Sequence, residues 1–234
     1  MHKFMIFGNA RSGTGTLFEL FKDLGVNIIH EPFHPDKWPD GLDLETEAHK
    51  IYNRHDAAKH LYPHLALDQN LAVTQWLLTH DIRVIYLKRR DLFLNAISKA
   101  LAQTTGMWGT DTPEEREIYR QRVSAKRLDP NLVRWLLNHA YEFEAALDGA
   151  MGGPSVFTIY YEDLFGKGKN GTLQMAEELT AFVDLRSIAD LNEVVYTRLS
   201  KTPKQTTKDV YALIPNGAEL EREFDVEKGT LTGS

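Results

Sequence analysis

The stretch Phe7-Gly8-Asn9-Ala10-Arg11-Ser12-Gly13-Thr14-Gly15-Thr16-Leu17 concentrates groups that hold an anion. Glycines let the chain turn tightly, so that successive backbone N–H groups face one point. A helix that starts where such a turn ends adds the positive end of its dipole. Thr14 and Thr16 bring hydroxyl donors, and Arg11 brings a permanently charged planar fork. A second cationic cluster, Lys88-Arg89-Arg90, follows the apolar run Val84-Ile85-Tyr86-Leu87. Ser98 stands eight residues beyond Arg90, about two helical turns on, so both can face one phosphate if a helix packs back beside the strand end. The chain is acidic overall, with 27 Lys and Arg against 33 Asp and Glu and a formal charge of −6, which excludes a nucleic-acid-coating protein. An acidic protein that binds an anion must gather its positive charge locally, and these two segments do so.

Gly8 and Gly13 have the spacing of the nucleotide-triphosphatase loop, G-x-x-x-x-G-K-[ST], but Thr14 stands where the lysine belongs. No other lysine occurs in the loop, so the lysine that holds the γ-phosphate is missing. The dinucleotide fingerprint G-x-G-x-x-G also fails, because Phe18 occupies the third glycine position.

The elements that must carry these residues follow from periodicity. Phe4 to Phe7, closed by Gly8, reads as a buried strand. Thr16 to Leu24 has helical spacing in Leu17, Phe18, Leu20, Phe21 and Leu24, and Gly25 ends it. Val26 to Ile29 reads as a second strand, and His30 to Asp43, with three prolines, as loop. Glu45 to about Asp81 reads as mostly helical. Arg83 to Leu87 is a strand, followed by a helix from Asp91 to Thr105. Thr112-Pro113-Glu114-Glu115 is a capped, acidic helix start, and Asp129-Pro130 opens a helix through Leu147. Val156 to Tyr160 is a strand and Leu173 to Val183 a helix, while no element is assigned to the polar tail from Lys201 onward. Strands alternating with helices predict a three-layer α/β/α fold with a central parallel sheet, in a single domain over 1–234. Hydrophobic residues at 42 % and charged residues at 26 % are ordinary globular composition. The absence of cysteine excludes disulfides and thiolate metal sites. With no signal-peptide pattern and no apolar run near the ~20 residues of a membrane span, a soluble, cytoplasmic protein is expected.

Arg11-Ser12-Gly13-Thr14 resembles the 5′-phosphosulfate loop of the sulfotransferases, which shows Lys or Arg followed by Ser-Gly-Thr/Ser-Thr. Gly15 departs from that pattern, and Thr16 can supply the hydroxyl instead. Arg90 and Ser98 match the pair that grips the 3′-phosphate in that family. Arg89-Arg90-Asp91, Asn95-Ala96-Ile97-Ser98, Ala102-Gln103-Thr104, Gly106 and Trp108 resemble the bacterial carbohydrate (trehalose 2-sulfotransferase-like) branch. Glu31-Pro32-Phe33 and Tyr161-Glu162-Asp163-Leu164 are similar to further segments of the family. The resemblance implies a P-loop NTPase-like sulfotransferase fold and the donor 3′-phosphoadenosine-5′-phosphosulfate (PAPS), with 3′-phosphoadenosine-5′-phosphate (PAP) as product. It assigns Arg11, Ser12, Gly13, Thr14, Gly15, Thr16, Arg90 and Ser98 to the cofactor. The acceptor is then the hydroxyl of a small molecule, a carbohydrate or related metabolite, with neither nucleic acid nor a membrane span involved.

Sulfuryl transfer needs an aligned acceptor oxygen, charge stabilisation on the leaving phosphate and a base for the hydroxyl proton. Arg11 and the loop N–H groups suit the second task. Glu31 is the first candidate base, because it follows the second strand and emerges at the edge where open parallel sheets bind ligands. The carbohydrate branch has a glutamate on this loop that is thought to serve so. His34 and His30 stand next in order. The pairs His30–His34 and His60–His64 enclose Pro32 and Pro63, so neither is a helical ligand pair and no metal site is expected. Tyr160 and Tyr161 read as core or supporting residues, and Trp108 as packing or acceptor lining. Two other readings stay open: a small-molecule or nucleotide kinase, and a non-catalytic nucleotide-binding module.

Overall fold

The computed structural model describes residues 1–38, 41–110, 112–166, 168–185, 191–200, 207–226 and 230–231. They form two compact units, Met1–Arg90 with Tyr141–Thr202 and Asp91–Ala140 with Pro203–Ser234. The first unit holds a parallel sheet of five strands among the described residues: β1 (Phe4–Gly8), β2 (Ile28–His30), β3 (Ala57–Leu61), β4 (Arg83–Lys88) and β5 (Val156–Tyr160). Their order is β2-β3-β1-β4-β5. In chain order the helices are α1 (Thr14–Asp23), α2 (Leu44–Arg54), α3 (Leu67–Thr79), α4 (Leu92–Thr105), α5 (Pro113–Ser124), α6 (Pro130–Ala150), α7 (Tyr161–Gly166), α8 (Gly168–Phe182), α9 (Leu191–Val195), α10 (Lys208–Tyr211) and α11 (Gly217–Glu223).

Side chains of a strand alternate between faces, and each face of this sheet is covered. Phe4 and Ile6 of β1, with Ile85 and Leu87 of β4, pack on Leu17, Leu20 and Phe21 of α1 and on Ala176 and Leu179 of α8. Met5 and Phe7, with Val84 and Tyr86, pack on Ile51 and Tyr52 of α2, Val73 and Leu77 of α3, and Phe143 and Leu147 from the end of α6. This is the expected three-layer α/β/α arrangement around a parallel sheet. Each fully buried Leu or Phe contributes roughly 1.5–3 kcal/mol to it. The second unit has its own core, in which Phe93, Ile97 and Leu101 of α4 meet Tyr119 and Val123 of α5, Val133 and Leu136 of α6, and Leu220 of α11. Asp91 caps α4 by accepting from the Leu94 N–H at 2.7 Å. Thr112 and Glu115 form the capping box that opens α5. No helix of the described residues is long and apolar enough to cross a membrane. Part of the polar tail, 201–206, lies outside the described residues.

One expectation is incomplete. Residues 45–81 are mostly helical, but α2 and α3 are separated by β3, an interior strand between β1 and β2. Ala57-Ala58-Lys59-His60 carries no apolar run and has good helix formers, so local propensity points away from a strand. Tertiary partners override it. Lys59 is 5 % exposed and ion-paired with Glu31, and His60 is fully buried with its Nε2 3.0 Å from Asn70 Oδ1. Boundaries move elsewhere by a few residues: β2 runs to His30, α1 starts at Thr14, and α8 starts at Gly168.

Two predictions follow from this packing. A Cβ at Gly8 would lie 2.5 Å from the Leu87 carbonyl oxygen of β4, which the strand cannot move aside, whereas a Cβ at Gly15 meets nothing within 4 Å. Gly8→Ala should destabilise the protein by about 1–3 kcal/mol, while Gly15→Ala, in the first turn of α1, should cost nothing or stabilise slightly; thermal midpoints of the two variants read the contrast. Burial pushes the His60 imidazole down to about 3, from 6.5, against a smaller opposing effect of the Asn70 hydrogen bond. The unfolded chain therefore takes up a proton here below about pH 6.5 that the folded chain refuses, and stability is lost as pH falls from there towards 3. Between pH 7 and pH 5 this one group should remove about 2 kcal/mol in urea unfolding, and His60→Gln, which cannot be protonated, should remove that part of the slope.

Candidate functional site

All five strands run in parallel, so their C-terminal ends share one edge of the first unit. β1 is the pivot: β2 and β3 lie on one side of it, and β4 and β5 on the other. Open α/β sheets take their ligands at such a reversal of strand order, beyond the C-terminal ends. The segment after β1 is the glycine-rich loop, that after β2 begins with Glu31, that after β3 ends at His64, and that after β4 holds Arg89 and Arg90.

The loop turns as its sequence requires. Arg11 has φ 65° and Gly13 φ 92°, both left-handed, and Gly13 immediately precedes α1. A Cβ at Gly13 would come 2.7 Å from Phe165 and 3.1 Å from Tyr161, so only glycine lets α7 pack this closely on the loop. Asn9, Ser12 and Thr14 are buried, and Ser12 Oγ donates to the Asn9 carbonyl at 2.6 Å. Ser12 thus braces the turn from within. Gly15 is exposed, while Arg11 and Thr16 are half-buried.

Arg89 supports the turn from β4. Its guanidinium donates to the Arg11 carbonyl at 3.3 Å, lies 4.7 Å from the centre of the Tyr161 ring, and has Nε 3.8 Å from Glu162 Oε1. Arg89 holds the backbone of Arg11 in its left-handed conformation, a residue pairing that spacing did not single out. Arg90 lies over the Tyr160 ring at 4.2 Å and donates to Asp163 Oδ2 at 2.5 Å, while its backbone N–H donates to Glu162 Oε2 at 3.0 Å. Lys88 is buried and takes both oxygens of Asp148 at 2.7 Å, with Glu144 at 3.3 Å. Burial lowers the Lys88 pKa, but these two carboxylates outweigh it and hold the ammonium above its ordinary value. Lys88 is therefore committed to α6. Tyr160 and Tyr161 act as ring platforms for the arginines, in keeping with the supporting role expected of them.

Arg90 closes the first unit, and Ser98 is buried on α4 of the second. Their pairing rests on sequence spacing. Trp108, also in the second unit, is 51 % exposed.

Glu31 is the centre of a polar cluster. Its φ is 45°, a conformation costly for a non-glycine residue and concentrated at functional sites. Lys59 Nζ bonds Glu31 Oε1 and lies 3.0 Å from His30 Nε2. His64 Nε2 lies 3.8 Å from Glu31 Oε2. The His34 and His64 rings meet edge to face at 4.5 Å between centres. Burial would push the Glu31 carboxyl up, but the Lys59 hydrogen bond and charge, with His30 and His64, hold it below its ordinary range. Burial likewise pushes His64 down to about 4 and His30 below its usual value, so both imidazoles are neutral at neutral pH. Glu31 and His34 stand in one cluster. Lys59, His60 and His64 were not anticipated as members, because β3 was not recognised. The signal that could have found them is Lys59-His60-Leu61-Tyr62-Pro63-His64 itself, where a proline stops a short segment rich in ionisable groups. Neither His-x-x-x-His pair acts as a unit, but one member of each, His34 and His64, meets at Glu31.

No protein-family model matches the chain. No curated protein matches it either. Solved structures do match. A mouse sulfotransferase, SULT7A1, complexed with PAP, superposes with a TM-score of 0.52 at 14 % identity, over 96 % of this chain and 81 % of that one. A sulfotransferase from Alicyclobacillus acidocaldarius gives 0.47 at 14 % identity, over 99 % and 98 %. At this identity the likeness establishes the fold: the chain has the parallel α/β architecture of a sulfotransferase.

Proposed function

We propose that this protein transfers a sulfuryl group from PAPS to the hydroxyl of a small molecule, a carbohydrate or related metabolite, by in-line displacement without a metal. One observation carries the reading. The strand–loop–helix turn of Gly8 to Thr16, with Arg11 backed by Arg89, opens at the same sheet edge as a carboxylate held ionised, Glu31. The first is suited to a phosphosulfate and the second to a hydroxyl proton. The mouse protein of the same fold was crystallised with PAP, which makes PAP the natural probe here.

In the proposed reaction the acceptor oxygen attacks sulfur as the bond from sulfur to the bridging phosphate oxygen breaks. Negative charge develops on the departing 5′-phosphate. Arg11, the N–H groups of the loop, and the hydroxyls of Thr14 and Thr16 receive it, and one such donor is worth about 2.7–4 kcal/mol in the barrier. Ser12 braces the turn, and Gly13 and Gly15 admit the phosphate close to the backbone. The acceptor proton passes to Glu31, which Lys59 orients, and His34 lies within the same cluster as the alternative acceptor of that proton. Arg90 and Ser98 take the 3′-phosphate, which at Arg90 replaces the Asp163 carboxylate. Residues 1–234 then serve as one sulfotransferase domain.

Thermal shift in the presence of EDTA tests donor binding. PAP at about 100 times its Kd should stabilise the protein by about 2.7 kcal/mol, and Arg11→Glu and Arg90→Glu should each abolish the shift. Stabilisation by ATP–Mg²⁺ alone would favour a kinase instead. Glu31→Gln should keep the PAP shift and lose at least about 100-fold in turnover of PAPS with a panel of sugars. A PAP shift without turnover on any hydroxyl would leave a nucleotide-binding module.

A further inference from the structure

We propose that Glu31, His34 and His64 form a binding site for one divalent cation of the zinc class. Each offers one ligand atom, and the three atoms lie within 4.8 Å of one another. Around an ion at 2.0–2.1 Å, tetrahedral ligands stand about 3.3 Å apart. His64 Nε2 and Glu31 Oε2, at 3.8 Å, need to close by only about half an ångström.

Two fixed turns present the donors. Glu31 and His34 belong to one turn, closed by the His34 N–H donating to the Glu31 carbonyl at 3.2 Å. Lys37 Nζ secures it by donating to the carbonyls of His30 and Glu31 at 3.0 and 2.9 Å, and Trp38 Nε1 donates to the Pro32 carbonyl at 2.9 Å. His64 ends the turn after β3, which Asn70 Nδ2 holds through the carbonyls of Tyr62 and Leu65 at 2.9 and 3.0 Å. His34 Nδ1 accepts from the Asp36 N–H at 3.3 Å, which helps hold the imidazole on this turn.

Two imidazoles and one carboxylate select zinc, cobalt and their neighbours over magnesium or calcium, and leave a position open for water. Lys59 occupies Glu31 Oε1 and leaves Oε2 to the ion. Its ammonium also repels a second cation, so binding on the order of micromolar rather than nanomolar is expected. The inference stands on this geometry and not on sulfuryl transfer. Where both hold, the ion and the acceptor proton compete for Glu31, and zinc should inhibit.

The test is a Co²⁺ titration of the full chain, free of any affinity tag, followed by visible d–d absorption and by displacement with Zn²⁺. Saturation at one equivalent is expected, with at least about tenfold weaker binding in His34→Ala and His64→Ala, and no change in His49→Ala, an exposed histidine elsewhere. Glu31→Gln, which keeps a side-chain oxygen for Lys59, provides a ligand deletion that spares the turn if the histidine variants unfold. Absence of saturable binding, or equal binding in folded variants lacking a ligand, would overturn the proposal. The PAP shift is read in EDTA, so each result can fail without the other.

Discussion

The arrangement depends on β1 lying between β3 and β4 in parallel register. Phe7 is opposite His60 on one side and Tyr86 on the other, and Gly8 is opposite Leu61 and Leu87. That pairing sends the chain ends that follow β1, β3 and β4 out at one edge. It also presses the end of β1 against β4, which leaves no room for a side chain at position 8. Parallel strands need covered faces and crossover connections, and the helices that supply both leave the C-terminal edge to loops. The positions of the glycine-rich loop, the Glu31 cluster and the arginines follow from one pairing choice.

The second constraint is electrostatic. At this edge four cations of an acidic chain are paired with carboxylates: Lys59 with Glu31, Lys88 with Asp148 and Glu144, Arg89 with Glu162, Arg90 with Asp163. Buried pairs of this kind add little net stability, because desolvation offsets attraction, but losing one partner of a buried pair costs about 3–5 kcal/mol. Their effect is to fix geometry. Lys59 and Lys88 are buried and lock Glu31 and α6 in place, whereas Arg90 is half-exposed.

Much of the fold was legible because the relevant signals are local. Phe4 to Gly8 and Arg83 to Leu87 are short apolar runs with clear stops, the run Leu17 to Leu24 has a 3.6-residue period, and Thr112-Pro113-Glu114-Glu115 carries its own cap. The glycine-rich loop was legible for the same reason: its glycines, hydroxyls and Arg11 lie within ten residues of one another. β3 was not. Its Lys59 and His60 read as surface residues until Glu31 and Asn70, 28 and 10 residues away, provide the charge and hydrogen bond that let them be buried.

The sequence by itself therefore determined the elements whose stability is written in near neighbours, and the identity of the groups able to hold an anion or take a proton. Tertiary structure alone decided which of those groups meet. Glu31 acquires its charge state from Lys59, His34 meets His64, and Arg11 is held by Arg89, across separations from 28 to 78 residues. The physical reason is that burial and ion pairing act through space: the cost of desolvating a charge, and the partner that offsets it, exist only once the strands are side by side.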